Sequence, residues 1–405
     1  MAEDIVALAE GGVTSPRGFL AGAVKAHIRE DWDKLDVGMV YSEAPCSAAA
    51  VYTTNRVQAA PVTVTRKHLR DGRAQAIVAN SGSANAATGE RGLQDAIAMA
   101  EAAALMAGVP AADIVVASTG VIGTHLPLER LAAGIGAIEL SPDGGDDFAR
   151  AIMTTDTRPK QVALRFGVYT LAGAAKGAGM IHPNMATMLC FLTTDAPVAA
   201  GFLQLTLREA VDDSFNMIDV DGDTSTNDMV VVLANGMAGG EPLDEAHPMA
   251  GVFREALTRA CIHLARAIVS DAEGGTKVIE AVVEGAADRA DARRAAREVA
   301  RSLAVKTAVY GSDPNWGRVL AAIGNSGCAM EEPRTSFWLS APPGPEICLY
   351  ELGSPSPFDE SKARAMLGEP DVRFRIDLGM GNATATAWGS DLTEDYVRLN
   401  SLYTT

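Results

Sequence analysis

The sequence has few of the features that mark membrane or nucleic-acid-binding proteins. Aromatic residues make up only 5% of the 405 residues. No run of 18 uncharged apolar residues occurs, and this absence predicts that no helix spans a membrane. Basic residues are outnumbered, since 34 Lys and Arg stand against 51 Asp and Glu, a net charge of −17. Nucleic acids and anionic membranes attract clustered Lys and Arg. We therefore expect neither as a partner.

Cysteine pairs and targeting signals are also missing. No CxxC pair occurs, and the five cysteines are scattered, at Cys46, Cys190, Cys261, Cys328 and Cys348. This pattern predicts buried thiols in a reducing compartment rather than a disulfide framework or a zinc site. The N-terminal MAEDIVALAEGG has neither the basic region nor the apolar stretch of a secretory signal. A cytoplasmic location is expected.

Common phosphate, metal and serine-nucleophile motifs are absent as well. No GxxxxGK[ST] loop and no GxSxG turn occur, and Gly177-x-Gly179 lacks the third glycine of a dinucleotide fingerprint. In the acidic run 218–228, Gly222 is the fourth residue when Asp219 is counted as the first, and Val230 is the twelfth. A calcium loop needs glycine sixth and Glu twelfth. We therefore expect no metal, and we interpret this run as a hydrogen-bonded acidic turn.

The residues that are present predict alternating strands and helices. A hydrophobic content of 48% is enough for a large core. Strands are predicted at 74–82, 113–123, 188–196 and 276–285, and helices at 92–110, 202–215 and 288–304. This alternation predicts an α/β protein with layered sheets. A proline-rich segment at 328–345 is the candidate boundary between lobes.

One threonine stands where a glycine-rich loop becomes an apolar strand, in KGAGMIHPNMATMLCFL (176–192). Thr187 has two interpretations. It is an ordinary strand-starting threonine, or it is a nucleophile that frees its own amino group when the bond after Ala186 is cut. A free α-amino group has a pKa of about 7.7–8 and would supply a general base beside the hydroxyl. Residue chemistry alone leaves both interpretations open.

The run around Thr187 and nine further blocks resemble the ornithine acetyltransferase family, the glutamate N-acetyltransferases of arginine biosynthesis. The blocks follow the family's order over nearly the whole chain, so the resemblance favours the nucleophile. They are GGVTSPRGFLAG (11–22), TTNRVQAAPV (53–62), NSGSANAATGERG (80–92), STGVIGTHLP (118–127), MTTDTRPK (153–160), VDGDTSTND (220–228), DAEGGTK (271–277), VKTAVYGSDPNWGR (305–318) and DYVRLNSLYTT (395–405).

The resemblance implies that the precursor cuts itself between Ala186 and Thr187. An α chain of residues 1–186 would carry the oxyanion-hole loop and part of the substrate pocket. A β chain of residues 187–405 would begin with the nucleophile and include a C-terminal lobe from about residue 330. The two chains are expected to stay together as one functional unit, in a heterotetramer of two α and two β chains. The implied fold is the layered αββα sandwich of the DmpA and ornithine acetyltransferase type.

The resemblance also implies a reaction. Thr187 would take the acetyl group from N2-acetyl-L-ornithine and pass it to L-glutamate in two steps, without a cofactor. No residue decides whether acetyl-CoA serves as a second donor. Thr119 and Gly120 would form the oxyanion hole. The expected substrate contacts are Thr154, Lys176, Thr187, Glu273, Asn400 and Thr405, with Thr155 as an alternative to Thr154. Lys176 and Glu273 are expected to bind opposite charges on the substrate.

Two other functions are considered. The first is an aminopeptidase of the β-peptidase type, which shares the layered fold but uses a serine nucleophile. The second is an uncleaved homologue that serves as a binding or scaffold protein.

Departures from the family pattern are small: Ser83 and Ala87 replace the usual Asn and Cys, and Ala272 and Gly275 alter the common DGEGATK. They affect local packing more than activity.

Overall fold

The computed structural model describes residues 5–182 and 188–402. Ala186, Thr187 and Thr405 therefore lie outside the described residues. The strands within these ranges are β1 (Ile5–Ala7), β2 (Phe19–Val24), β3 (Val37–Tyr52), β4 (Arg73–Asn80), β5 (Ile114–Ser118), β6 (Lys160–Phe166), β7 (Tyr169–Lys176), β8 (Leu189–Thr194), β9 (Ile218–Asp219), β10 (Met229–Ala234), β11 (Val278–Ala286), β12 (Ser336–Ser340), β13 (Glu346–Glu351), β14 (Ser354–Pro355), β15 (Asp371–Asp377) and β16 (Ala383–Ser390).

The helices in the same ranges alternate with these strands. They are α1 (Ala60–His68), α2 (Gly89–Ala107), α3 (Leu128–Gly136), α4 (Gly145–Ala151), α5 (Ala200–Asp212), α6 (Ala250–Val269), α7 (Arg289–Arg301), α8 (Leu303–Tyr310), α9 (Trp316–Asn325), α10 (Glu360–Leu367) and α11 (Glu394–Leu402).

The predicted strands and helices are confirmed. The four strands predicted from apolar runs correspond to β4, β5, β8 and β11, and the three predicted helices to α2, α5 and α7. A glycine ends helix α2. Gly108 has a φ of +67° and donates its N–H to the Ala104 carbonyl, a left-handed cap that glycine adopts without steric cost.

The larger sheet bends at β3. Its strand order is β1, β6, β7, β8, β10, β3, β4, β5, with β2 also paired to β3. The first half of β3 pairs with β2 and β4, whereas its second half pairs with β10. The register shifts between Tyr41 and Cys46, and such an irregularity bends a strand. The two halves of the sheet therefore form two layers.

The buried clusters show how these layers pack. Val40, Ile77 and Val115 from one half of the sheet share a cluster with Phe191 and Val231 from the other half. This cluster is the inner core between the two β layers. Each such side chain contributes about 1.5–3 kcal/mol when it is fully buried.

Helices cover the outer faces of both layers. Val78 of β4 packs with Met99 of α2 on one side, and Cys190 of β8 packs with Leu203 and Phe253 of α5 and α6 on the other. β8 and β10 are buried on both faces, which explains why their sequences are mostly apolar and lack the alternation of a half-exposed strand. The layers follow the order α, β, β, α, which confirms the predicted fold class.

A second sheet is joined to the first through α6, which contacts β6 and β7 of the larger sheet and β9 and β16 of the second. Its strand order is β14, β13, β12, β15, β11, β16, β9. Helix α7 packs closely on this sheet because Gly389 of β16 has no side chain: a Cβ there would lie 2.4 Å from the Ala300 carbonyl oxygen. The lobe predicted from about residue 330 supplies β12 to β16 of this sheet, while β9 and β11 come from earlier in the chain. The division at 186 and 187 stays a prediction.

The cysteine prediction is only partly right. All five thiols are free, and Cys46, Cys190 and Cys261 are buried, whereas Cys328 and Cys348 are partly exposed. Cys328 follows the end of α9, and Cys348 lies on β13, near the edge of its sheet, so neither is enclosed by two layers. Among the described residues, no helix has both the length and the apolarity needed to cross a membrane.

Candidate active site

A cavity of about 120 Å³ gathers the predicted site residues that the structure describes. The loop after β5, the end of β7, the turn after α6 and the helix α11 all contribute to its wall. Both Thr154 and Thr155 line it, so the structure does not separate these alternatives. The predicted residues found together here are Thr119, Gly120, Thr154, Lys176, Glu273 and Asn400.

The loop after β5 is held rigidly at the cavity wall. The N–H of Thr119 donates to the Asn80 carbonyl at 3.0 Å, and the Ser118 hydroxyl donates to Asn80 Oδ1 at 2.6 Å. Gly120 has a φ of +129°, and a Cβ at this position would lie 2.4 Å from the carbonyl carbon of Gly82. Only glycine fits such a position. The loop therefore presents the Thr119 hydroxyl and the Gly120 backbone in a fixed arrangement.

Lys176 places a buried positive charge beside this loop. Only 3% of the residue is exposed, and its Nζ donates to Thr119 Oγ1 at 3.3 Å. Burial lowers the pKa of Lys176, and the nearby Asp156 carboxylate partly opposes this effect. Burial would raise the pKa of Asp156, but Lys176 and Lys160 outweigh it and the pKa falls to about 2. Asp156 therefore stays ionised and supports the ammonium group.

Glu273 provides an opposite charge in the same cavity. Its backbone N–H donates to the Ala178 carbonyl at 2.9 Å, and its Oε2 accepts from Asn400 Nδ2 at 2.9 Å. A Cβ on Gly179 would lie 2.5 Å from that carboxylate, so the carboxylate lies directly against the glycine-rich segment. The described wall of the cavity thus carries the Lys176 amino group and the Glu273 carboxylate, together with two further carboxyl groups, those of Asp221 and Asp223.

Sequence reasoning missed Asp221 and Tyr396 as part of this wall. Asp221 accepts from the backbone N–H groups of Met180 at 2.5 Å and Ile181 at 2.9 Å, and from the Tyr396 hydroxyl at 3.2 Å. Burial raises the pKa of Asp221 to about 6, although the Met180 N–H opposes the shift. The acidic run 218–228 is therefore hydrogen-bonded, as the sequence analysis expected, but that analysis did not place Asp221 in the wall of the cavity. The family block VDGDTSTND was the signal that could have identified it.

The same acidic segment supports the loop after β5. Asn227 Nδ2 donates to the Ser118 carbonyl at 2.6 Å, and its Oδ1 accepts from the Ser225 hydroxyl at 2.5 Å. Ser225 and Asn227 both line the cavity. The bond from Asn227 to Ser118 joins residues 109 positions apart in the sequence, so the position of the loop depends on the folded chain as a whole.

Asp228 fixes the start of β8, directly after the predicted nucleophile in the sequence. Its side chain is buried, and Oδ1 accepts from the Met188 N–H at 2.9 Å. Oδ2 is also buried and has no hydrogen-bond partner among residues 5–182 and 188–402. Burial raises the pKa of Asp228 well above its usual range. The hydrogen bond to Met188 therefore fixes the backbone of the residue that follows Thr187 in the sequence.

The layered fold and this cavity suit an α/β acyltransferase, the enzyme class that the sequence predicted. Comparison with known proteins gives the family. The profile of the ArgJ family matches residues 20–405, and the chain belongs to this family.

Relatives that match this chain over nearly their full length have the name of the same family. The arginine biosynthesis bifunctional protein ArgJ of Symbiobacterium thermophilum is 52% identical over 402 residues, covering 98% of this chain and 99% of its own. The protein of that name from Bacillus subtilis is 45% identical over 410 residues, covering 100% and 99%. The predicted enzyme class, an acyltransferase of arginine biosynthesis, is confirmed.

Two solved structures are also similar. The crystal structure of arginine biosynthesis bifunctional protein ArgJ from Bacillus halodurans is 45% identical with a TM-score of 0.49, covering 52% of this chain and 97% of its own. The ornithine acetyltransferase from Mycobacterium tuberculosis, complexed with ornithine, is 44% identical with a TM-score of 0.42, covering 44% and 98%. The full-length match to ArgJ proteins gives the aminopeptidase alternative no support.

Proposed function

We propose that this enzyme is a glutamate N-acetyltransferase that moves the acetyl group of N2-acetyl-L-ornithine to L-glutamate through an acetyl ester on Thr187. The observation that carries the proposal is the cavity that joins the loop at Thr119, the Lys176 ammonium and the Glu273 carboxylate. The fixing of Met188 by Asp228 also supports it, because this contact anchors the residue next to Thr187.

Thr187 first has to be freed. Its hydroxyl would attack the Ala186 carbonyl, shifting the acyl group from nitrogen to oxygen, and water would then hydrolyse the resulting ester. The cut leaves Ala186 with a carboxylate and Thr187 with an α-amino group. That amine has a pKa of about 7.7–8 and can therefore accept a proton near neutral pH. The β-branch of threonine restricts χ1 and helps to orient the hydroxyl.

The transfer then runs in two steps. The Thr187 hydroxyl attacks the acetyl carbonyl of the donor while the α-amine takes its proton and delivers it to the leaving amine of ornithine. Glutamate next attacks the acetyl ester, and the proton from its amine returns to the threonine oxygen. One site must accept two amino acids in turn, which gives ping-pong kinetics. In both steps the Thr119 hydroxyl and the Gly120 N–H would stabilise the oxyanion.

The charges in the cavity would orient both substrates. Lys176 would bind the α-carboxylate that acetylornithine and glutamate share, and Glu273 would bind the distal ammonium of ornithine. Asn400 donates to Glu273 and would hold this carboxylate in position. Thr154 and Thr405 are proposed as further contacts to the substrate.

The proposal extends to the assembly and location of the enzyme. The α and β chains would stay together as a heterotetramer of two copies of each, in the cytoplasm. The reaction as written needs no cofactor, and acetyl-CoA would serve only as an alternative acetyl donor. A scaffold role would leave an intact chain without transferase activity.

The test is an exchange assay with purified enzyme. N2-acetylornithine and radiolabelled glutamate should give labelled N-acetylglutamate, and acetylated Thr187 should accumulate when glutamate is left out. Release of free acetate instead of transfer to glutamate would indicate a hydrolase and would contradict the proposal.

A further inference from the structure

A buried ammonium group, that of Lys160, lies between two buried carboxylates behind the wall of the active-site cavity. Its Nζ donates to Asp156 Oδ1 and to Asp271 Oδ2, at 2.6 Å each. The three side chains are at most 4% exposed. The described lining of the active-site cavity includes none of the three. Any effect of Lys160 on the reaction must therefore pass through the two carboxylates.

Asp156 connects the ammonium to two parts of the cavity wall. Its Oδ2 accepts from the Thr154 N–H at 3.0 Å, and its Oδ1 accepts from the Gly177 N–H at 2.7 Å. Thr154 lines the cavity, and Gly177 directly follows Lys176, which lines it as well. The segment before β6 and the end of β7 are therefore held on one carboxylate.

Asp271 connects the ammonium to the turn after α6. Its carboxylate accepts from the Thr157 N–H at 3.0 Å and also from the Thr157 hydroxyl. Only one residue separates Asp271 from Glu273 in the sequence. The Glu273 carboxylate is therefore carried by a turn whose first residue is bound by both Lys160 and Thr157.

Lys160 thus links the two charged groups that would bind the ends of the substrate. It reaches Lys176 through Asp156 and Glu273 through Asp271. Attraction between charges is strong where water is excluded, and each carboxylate makes further hydrogen bonds that fix its orientation. The separation of the Lys176 and Glu273 side chains therefore depends on this one ammonium group.

The space beside Glu273 is not closed. A further cavity, of about 250 Å³, adjoins the active-site cavity, and the two share Thr154, Thr155, Glu273 and Asn400 in their lining. A diamino acid longer than ornithine would therefore still find room next to Glu273. The position of the Glu273 carboxylate, and not a lack of space, has to select the length of the substrate.

We propose that Lys160 is a positioning residue that sets the specificity of the site for the chain length of a diamino acid. It holds Asp156 and Asp271 together, and the charges of Lys176 and Glu273 thereby keep one separation. Ornithine fits this separation, whereas lysine is one methylene too long, a difference that can change affinity by roughly 10–200-fold. The inference rests on the proposed function, because it takes Lys176 and Glu273 as the groups that bind the two ends of ornithine.

Calorimetric titration of the purified protein with L-ornithine and with L-lysine tests the inference without turnover. The test variant combines Lys160→Met with Asp271→Asn, which removes one positive and one negative charge and leaves Asp156 beside Lys176. The wild type should bind ornithine at least about tenfold more tightly than lysine. In the double variant this ratio should fall at least about fivefold, mainly because ornithine binds more weakly.

The matched control combines Arg373→Gln with Glu280→Gln. It removes an ion pair of the same length, 2.6 Å, from the second sheet, and neither residue is in the described lining of the two cavities. Its ornithine-to-lysine ratio should stay within about twofold of the wild-type ratio. The inference is overturned by a wild type without preference for ornithine, by an unchanged ratio in the folded double variant, or by an equal fall in the control.

Steady-state exchange separates positioning from a general loss of structure. With N2-acetylornithine as donor, the double variant should show a KM raised at least about fivefold and a kcat within about threefold of the wild type, because Thr119 and Lys176 are unchanged. A merely structural role would reduce the amount of active enzyme. The apparent kcat would then fall while KM stayed the same, and this result would overturn the inference.

A milder variant keeps the inference testable if circular dichroism shows that the double variant does not fold. Thr157→Val removes only the hydroxyl that donates to Asp271, and it should lower the ornithine-to-lysine ratio at least about twofold. An unchanged ratio would overturn the inference. If the wild type binds ornithine selectively but transfers no acetyl group, the proposed function fails, while the binding ratios still decide the role of Lys160.

Discussion

The Nζ of Lys176 lies 3.3 Å from the Thr119 hydroxyl oxygen. Because Thr119 Oγ1 accepts from Lys176 Nζ, the hydroxyl proton of Thr119 stays available for another acceptor. A buried cation behind an oxyanion donor strengthens that donor, since electrostatic interactions are larger where water is excluded. This pair links the loop after β5 to the end of β7, and in the proposed mechanism the oxyanion forms beside it.

Removing the donor should slow the chemical step. We expect Thr119→Ala to lower kcat by about 10²–10³-fold, the usual cost of losing one oxyanion-hole donor, with a small change in KM. Thr119→Ser keeps the hydroxyl and should retain most of the rate. Single-turnover acetylation of Thr187 by N2-acetylornithine measures this step. Equal rates for Thr119→Ala and the wild type would remove Thr119 from the oxyanion hole.

Gly120 should tolerate no side chain. Gly120→Ala places a Cβ 2.4 Å from the Gly82 carbonyl carbon at a φ of +129°, so the loop must move and both stability and activity should fall. Gly123→Ala is the matched control, because Gly123 also has a positive φ, +85°, but open space around its Cβ position. Denaturant unfolding should show the larger loss of stability for Gly120→Ala. Similar losses in the two variants would mean that the close contact is unimportant.

Glu273 should determine the affinity for the donor. Glu273→Gln removes the charge proposed to bind the distal ammonium of ornithine and should raise the KM for N2-acetylornithine about tenfold, the effect of about 1.4 kcal/mol. The KM for glutamate, which has no ammonium at that end, should change less. Glu369→Gln, at an exposed glutamate outside the cavity, is the control. Unchanged steady-state kinetics in Glu273→Gln would rule out this role.

Asp221 should make stability depend on pH. Its pKa rises from an ordinary value of 3.8 to about 6 in the fold, so the folded protein holds the proton more tightly than the unfolded chain. The resulting stability is fully present below about pH 4, is lost as the pH rises to about 6, and then levels off. The total is up to about 3 kcal/mol at 1.36 kcal/mol per pKa unit. Unfolding curves of the wild type and Asp221→Asn measure the difference.

Asp223→Asn is the control for this pH dependence, because Asp223 lines the same cavity but is exposed. The difference in unfolding free energy between the wild type and Asp221→Asn should shrink from pH 4 to pH 6. The corresponding difference for Asp223→Asn should stay flat. A pH-independent difference for Asp221→Asn would show that this carboxyl titrates normally.

Much of the layered fold could be predicted because its signal is local. The continuous apolar run in β8 and the glycine stop after α2 follow from neighbouring residues alone. The bend in β3 could not be predicted, because it depends on which strands pair with each half. Asp221 and Tyr396 are 175 residues apart, and only the completed fold brings them together. The predicted residues in the cavity came from the family resemblance and not from local sequence patterns.

The central claim is that the chain is cut to free Thr187, and an intact mass spectrum under denaturing conditions tests it most directly. The account predicts two chains that divide after Ala186, the heavier beginning with a free Thr187, and a single uncut species for Thr187→Ala. A single species of 42.1 kDa from active wild-type enzyme would contradict the account, because Thr187 would then have no free α-amino group to act as its base.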